Sequence, residues 1–356
     1  MIPATMQAIQ LDGPRKIRLV EVPVPKPGPF EVLCRVETTT ICGTDPHIIN
    51  GDFPGFWPPA FPFIPGHEWA GVVVESNEIS EGFGYSVGDR VCGISHSGCG
   101  YCEMCLSGRY NLCLNYGRED LGHHQYGHTT QGAYAQYMLT TIKAIDHIPD
   151  EMDFNVAAMM DPLSIALHMV QRSGLKAGED ILINGTGPQG LFSIVLARHM
   201  GAGKVIASGS GFRLKVAERL GAIPIDYRTE DVVERTRELT GGRGAKRVLE
   251  CAGTPAGIRN AIDAVAKGGR VSMVGIPPEG DVVLPVKRIV LEEIDVVGDR
   301  ANPNTLRQAI SLTQENDLDL ARFVTHEFPL REFEKGLDIF ENRRENSLKV
   351  AIKPNL

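Results

Sequence analysis

Nowhere in this 356-residue chain does an apolar run approach the ~18 residues needed to cross a bilayer, so no transmembrane helix is expected. Basic residues are not in excess either: 36 Lys and Arg stand against 44 Asp and Glu, for a formal net charge of −8. Nucleic acids and anionic membranes are bound by basic surfaces, so neither is expected as the main partner. The first residues, MIPATMQAIQLDGPRKIRLVEVPVP, alternate like a strand and carry no basic segment leading into an apolar one. A secretory leader is therefore not expected, and a cytoplasmic location follows as an expectation. That compartment is reducing and disfavours disulfides. Cysteine is used sparingly, eight in all, which makes its distribution informative.

What is present is ordinary for a globular protein: 42% hydrophobic and 22% charged residues. At roughly 100–200 residues per domain, the length suggests two domains, one of them interrupted by the other. Residues 1–155 mix proline, glycine and short β-branched runs such as KIRLVEVPVP, EVLCRVETTTI and GVVVES, the pattern of an irregular β-rich domain. From 156 to 297 apolar strands alternate with helical stretches: DILING with PQGLFSIVLARHMGA, KVIASGS with RLKVAERLGA, RVLECAG with AGIRNAIDAVAKG, then RVSMVGIP. That alternation predicts βαβ units and a parallel sheet. Residues 298–356 are mixed, with helices expected around NTLRQAISLTQEN and LREFEKGLDIFENRR and a strand at LKVAIKP. The expected fold class is α/β, a nucleotide-binding doubly wound domain beside a β-rich one.

Half of the cysteines fall in SGCGYCEMCLSGRYNLC, as Cys99, Cys102, Cys105 and Cys113. Gaps of two residues are poor for local disulfides, whereas four thiolates in one loop suit a tetrahedral zinc ion. Such a four-sulfur site is closed, so it would shape its loop without taking part in chemistry. A dinucleotide cradle is expected at Gly185-x-Gly187-x-x-Gly190, with Pro188 and Gln189 between the second and third glycines, because it follows an apolar strand and opens a helix. The next strand ends in Ser208, Gly209 and Ser210 where an NAD enzyme usually carries an acid. Small hydroxyl residues would admit a 2′-phosphate, which favours NADP, with NAD as the alternative. Arg213, Tyr227 and Arg228 are candidate neighbours, although Arg213 reads equally well as a solvated helix residue.

A second metal group is suggested by TTTICGTDPHI, IPGHEWAG and MMDPLSIALH, which supply Cys42, Thr44, Asp45 and His47, then His67 and Glu68, then Asp161. One thiolate, one imidazole and a carboxylate leave zinc an open position, the catalytic arrangement. Each residue also has a plainer explanation, Cys42 as a small buried group and His67 as a hydrogen-bonded core histidine. The aromatic loop GDFPGFWPPAFPF, with Phe53, Phe56, Trp57, Phe61 and Phe63, could wall a pocket or simply pack. GHHQYGH, with His123, His124 and His128, reads as a polar loop rather than a third metal site.

Taken in order, Cys42-Gly-Thr-Asp-x-His, Gly66-His67-Glu68, the four-cysteine lobe, Asp161-Pro-Leu and the glycine fingerprint resemble the zinc-dependent medium-chain dehydrogenase/reductase family, in particular its sorbitol/polyol and threonine dehydrogenase branches. The resemblance spans essentially the whole chain. It implies a GroES-like catalytic domain built from both chain ends around a Rossmann domain, with the active site in the cleft. Cys42 and His67 would be catalytic zinc ligands and either Glu68 or Asp161 the third, Glu68 alternatively being a partner behind His67. Thr44 and His47 match a proton relay. The implied reaction is reversible oxidation of a secondary alcohol (polyol, sugar alcohol or amino alcohol) to its ketone by hydride transfer to NAD(P). A ketone reductase for a less polar or cyclic alcohol is the alternative, and a non-catalytic NADP-binding zinc protein the remaining one. A zinc-lobe module for nucleic acid is disfavoured, since the lobe's surroundings offer only Arg109 and Arg118 as basic residues. A small-molecule substrate and a homodimer or homotetramer are the partners expected.

Overall fold

In EVLCRVETTT the β-branched residues Val32, Val36 and Thr38 to Thr40 suit a pleated backbone, and most positions on both faces are buried, so Glu31–Thr40 becomes an internal strand. A computed structural model describes residues 1–277, 280–316 and 318–356. In it the chain divides into two units, Met1–Asp161 with Ala301–Leu356, and Pro162–Arg300. The fold is α/β, as expected.

The first unit is organised by a seven-stranded sheet. Its order is Val324–Pro329, Lys349–Lys353, Glu31–Thr40, Glu68–Glu75, Arg90–Gly93 and Ile145–His147, with Tyr137–Thr141 also paired to Glu31–Thr40. Two strands of this sheet thus come from the last forty residues of the chain. The helix Phe333–Glu341 covers them with Phe333, Leu337, Ile339 and Phe340, which join Ile41, Ile48, Ile49, Tyr134, Phe328, Val350 and Ile352 in one core. Gly336 permits that approach, because a Cβ there would lie 3.0 Å from the Phe328 ring. Thr40 stands in register opposite both Glu68 and Ala351. The end of one central strand is thereby placed beside the start of its neighbour and the C-terminal strand.

The second unit is a six-stranded, all-parallel sheet in the order Ile223–Asp226, Val205–Gly209, Ile181–Asn184, Ala245–Glu250, Val265–Met273 and Asp295–Gly298. Numbered along the chain this is 3-2-1-4-5-6, the doubly wound nucleotide-binding order. The central strand ILIN is buried at every position, as a strand covered on both faces must be. Helices Pro188–His199, Gly211–Arg219, Val232–Leu239 and Pro255–Ala264 supply the crossovers. No helix among the described residues is long and apolar enough to cross a membrane.

Candidate functional site

In the first unit, Cys42 follows the strand Glu31–Thr40 by two residues, and His67 immediately precedes the strand Glu68–Glu75. Because Thr40 pairs with Glu68, both residues lie at the same sheet end. The ligand atoms of Cys42, His67 and Glu68 lie within 4.8 Å of one another. His67 and Glu68 are buried and Cys42 is half-buried. His67 Nδ1 faces the Asp45 carboxylate at 3.6 Å and has no partner at hydrogen-bond distance. Asp45 is itself fully buried and accepts bonds from the Cys42 amide at 2.8 Å and the Tyr134 hydroxyl at 2.5 Å. A carboxylate behind one ring nitrogen leaves the other nitrogen for a metal.

Electrostatics favour a cation here. Burial disfavours charge on the His67 ring, but the neighbouring Cys42 and Asp45 outweigh it and push its pKa up to about 10. A group this rich in negative charge is one that a divalent ion would neutralise, so its donor set of sulfur, nitrogen and oxygen fits zinc. Glu68 is bonded by the Thr40 hydroxyl and by the ammonium of Lys349, a lysine as buried as the glutamate. Lys349 also donates to the Ile41 carbonyl at 2.8 Å.

Asp161 is not part of the 4.8 Å group. It sits at the start of the helix Met160–Ser173, where it accepts the Ser95 amide at 3.2 Å and the Asn302 side-chain amide at 2.9 Å. Burial pushes its carboxyl up to about 6. Thr44 lies with its hydroxyl 3.8 Å from Cys42 Sγ, and His47, in the short helix Asp45–Asn50, pairs with Asp52 at 2.7 Å through a partly exposed ring. The aromatic loop reaches this group through a ring chain. Phe53 and Phe56 each lie 5.0 Å from Trp57, Trp57 lies 4.9 Å from His128, and His128 lies 4.5 Å from His67. His123 belongs instead to a cluster with His96 and Tyr116, and His124 stacks on Tyr126.

The four lobe cysteines form the second metal-capable group among the described residues. All eight cysteines of the chain are free of disulfides. Sulfurs at the corners of a tetrahedron with ~2.3 Å metal bonds stand about 3.8 Å apart. The Cys99–Cys105 and Cys102–Cys113 pairs are both at 3.9 Å. Amide donors converge on these sulfurs: Tyr101 and Cys102 on Cys99 at 3.4 Å, the Asn115 side chain on Cys99 at 3.3 Å, and Leu114 on Cys102 at 3.4 Å. Against the effect of burial, those donors pull the Cys99 thiol down to about 6, so it is ready to bind metal as a thiolate.

In the second unit the glycine fingerprint is spatially strict. Gly185 has φ 113°, and a Cβ on Gly190 would fall 1.9 Å from the Gly185 carbonyl oxygen. Gly187, by contrast, caps the helix Pro188–His199, and beyond its own chain neighbours no atom of the described residues lies within 4 Å of where its Cβ would be. That open space in front of a helix N-terminus, with Gln189 in its first turn, is a fit for a pyrophosphate. Ser208 is buried in its strand, while Ser210 caps the helix Gly211–Arg219 and donates to the Tyr227 hydroxyl at 3.2 Å. Arg213 is half-buried in that helix's first turn. Arg228 is engaged by Asp226 through two bonds of 2.9 and 2.6 Å, which hold the Asp226 carboxyl down near 2.

Sequence reasoning overlooked Lys349, Thr40, Tyr134 and Asn302. Only Lys349 left a signal, a charge set between Leu348 and Val350 at the start of the strand Lys349–Lys353.

Residues 28–150 match the family model of the alcohol dehydrogenase GroES-like domain, and residues 188–315 match that of the zinc-binding dehydrogenase. Sorbitol dehydrogenase of Bacillus subtilis is 32% identical over 358 residues, covering 99% of each chain. L-threonine 3-dehydrogenase of Proteus mirabilis is 33% identical over 92% of this chain and 93% of its own. Among solved structures, a zinc-binding dehydrogenase from Sinorhizobium meliloti bound to NADP superposes with a TM-score of 0.89. It is 32% identical, over 99% of this chain and all of the other.

Proposed function

This chain belongs to the zinc-dependent medium-chain dehydrogenase family, and from that premise we propose that it oxidises a secondary alcohol reversibly to a ketone, with a nicotinamide dinucleotide as hydride acceptor. The buried group of Cys42, His67 and Glu68 carries this reading. A zinc ion held by these three residues would supply Lewis acidity to the substrate hydroxyl. Glu68, rather than Asp161, is proposed as the third protein ligand, because its carboxylate lies within 4.8 Å of the Cys42 and His67 ligand atoms and that of Asp161 is not in this group.

The chain's own residues do the positioning. Asp45 orients His67, and Lys349 with Thr40 orients Glu68. Thr44, beside Cys42, takes the hydroxyl proton, and His47 with Asp52 passes it to solvent through its partly exposed ring. The four lobe cysteines would hold a structural zinc. Gly185, Gly187 and Gly190 would seat the dinucleotide, with Pro188 and Gln189 between the second and third glycines. Ser210 and Tyr227 would receive a 2′-phosphate, which favours NADP. The relatives named for sorbitol and threonine support a polyol or amino alcohol as substrate. A less polar or cyclic alcohol is the second reading, favoured by the Trp57 and His128 rings packed toward His67.

Absorbance at the nicotinamide band, with NAD or NADP against polyols, amino alcohols and cyclic secondary alcohols, tests the proposal. Turnover with NADP is expected, and a preference for NAD would overturn the role given to Ser210 and Tyr227. Silence across the panel, in protein carrying zinc in both groups, would overturn the substrate class. Cys42→Ala is expected to abolish turnover while the lobe keeps its metal, read as zinc content per chain.

A further inference from the structure

Two carboxylate side chains in this molecule, each 1% exposed, face a cation. Glu68 faces Lys349, and Asp299 faces Arg172 at 2.7 Å. Glu250, the last residue of the strand Ala245–Glu250, is wholly buried, and its side-chain bonds among the described residues come only from backbone amides. Its Oε1 accepts the Ala252 and Gly253 amides at 2.9 and 3.1 Å, and its Oε2 accepts Gly253 at 3.2 Å. Leaving a charge buried without a counter-ion is costly, so the arrangement calls for a reason beyond packing.

The location supplies one. The turn Cys251–Gly253 leaves the carboxyl end of a parallel strand, the edge at which open α/β sheets bind ligands. This turn abuts the phosphate cradle: a Cβ on Gly185 would lie 2.9 Å from the Ala252 nitrogen and 3.0 Å from the Cys251 carbonyl carbon. On the other side a Cβ on Gly275 would lie 2.3 Å from the Gly253 nitrogen and 2.5 Å from Glu250 Oε2. There is no slack between the carboxylate, the turn and Gly185.

We infer that Glu250 is a positioning residue for the dinucleotide: its ionised carboxylate clasps the turn Cys251–Gly253 against Gly185 and so fixes the phosphate-binding turn. The inference rests on the reading that Gly185 to Gly190 seats a nicotinamide dinucleotide. The clasp has a pH range. Burial, opposed by the two amides, pushes the Glu250 carboxyl up to about 7. Its register partners are Asn184 and Met273, and the helix Pro255–Ala264 presents Gly257 to it; none of these titrates. The titratable groups facing the turn are Cys251, which burial keeps protonated, and Asp299, which burial pushes up to about 7 despite its pairing with Arg172 and which Glu250→Gln leaves in place. The fold favours the protonated carboxyl below about 7, so the clasp weakens as pH falls through that value.

The test is the dissociation constant of the zinc-loaded protein for NAD and for NADP between pH 6 and 8.5, in wild type, Glu250→Gln and Glu250→Ala, with thermal melting alongside. Wild type is expected to lose about five- to tenfold in affinity from pH 8 to pH 6, the net worth of about one hydrogen bond. Glu250→Gln should bind about five- to tenfold more weakly than wild type at pH 8 and about equally at pH 6, and comparing the two proteins at one pH cancels any titration of the cofactor itself. Its melting temperature at pH 8 should be no lower than that of wild type, because an amide has no charge to bury. A Glu250→Gln protein with wild-type affinity and wild-type pH slope would overturn the inference, as would a lower melting temperature with unchanged affinity. Glu250→Ala should bind weakly at every pH; if it does not fold, the glutamine variant decides alone. Failure of wild type to bind either dinucleotide would instead overturn the underlying reading of the glycine turn.

Discussion

Lys349 and Glu68 are separated by 281 positions in the chain, yet they meet as a buried ion pair beside Cys42 and His67. The meeting depends on the register that sets Thr40 against Glu68 on one side and Ala351 on the other. This is why the metal-capable residues were legible in the sequence and their supports were not. A thiol, an imidazole and a carboxylate have chemistry that announces itself, whereas a lysine in LKVAIKP acquires a role only once the strands are paired. Asp45 was within the motif that drew attention, but its place behind His67 needed the structure. Removing one partner of a buried pair leaves an uncompensated charge, at a cost of about 3–5 kcal/mol. Lys349→Met should therefore lower the melting temperature strongly in chelator-treated protein. Zinc loading should recover much of the loss, because the metal would then compensate Glu68. Equal melting of Lys349→Met and wild type without metal would show that the pair contributes nothing to stability.

Four strands and three helices of the second unit were legible because the apolar period switches between strand and helix, whereas the edge strands Ile223–Asp226 and Asp295–Gly298 and the helices Val232–Leu239 and Val286–Leu291 were not read; the expected helices at 306–315 and 333–341 are present. The strand Val324–Pro329 was not read. Its sequence VTHEFP is exposed at alternate early positions and ends in proline, and it lies at the sheet edge, where such a segment is tolerated. The glycine turn separates packing from binding within one element. Gly190→Ala drives a methyl into the Gly185 carbonyl and should destabilise the fold by about 1–3 kcal/mol. Gly187→Ala meets no protein atom, so it should melt like wild type and still bind dinucleotide more weakly, as calorimetry would record. Reversed behaviour of the two would refute the cradle. The helix Met160–Ser173 carries a pH response of its own. Burial, reinforced by Arg172, lowers the His168 pKa to about 4, so the unfolded chain binds the proton more readily. Stability from this site is complete above about pH 6.5 and is lost as pH falls toward 4. His168→Gln should show a smaller drop in melting temperature between pH 7 and pH 5 than wild type does. An identical drop would assign the acid sensitivity elsewhere.

At the scale of the whole molecule, composition excludes partners better than it finds them. A net charge of −8 argued against nucleic acid, but nothing in the totals reveals self-association. The structure adds a surface. Among the described residues the strand Asp295–Gly298 ends its sheet with one neighbour only, and just before it Val283, Val286, Val290 and Leu291 are each more than half exposed. The helix Val286–Leu291 contributes no fully buried residue to its own unit. An unpaired strand edge beside clustered valines invites pairing and aggregation unless something covers it. A second copy of the chain, meeting it through the same strand, would satisfy the edge symmetrically, since a two-fold interface presents one patch to itself. Val286→Glu with Val290→Glu would place repelling charges on both sides of such a contact. In sedimentation experiments the double variant is expected to shift to a species half the wild-type mass or smaller. Zinc in the Cys42 group and in the lobe should be unaffected, because neither lies in the unit that carries the valines. An unchanged mass would move the contact to another surface, and a monomeric wild type would mean that these valines stay in water at the expense of solubility.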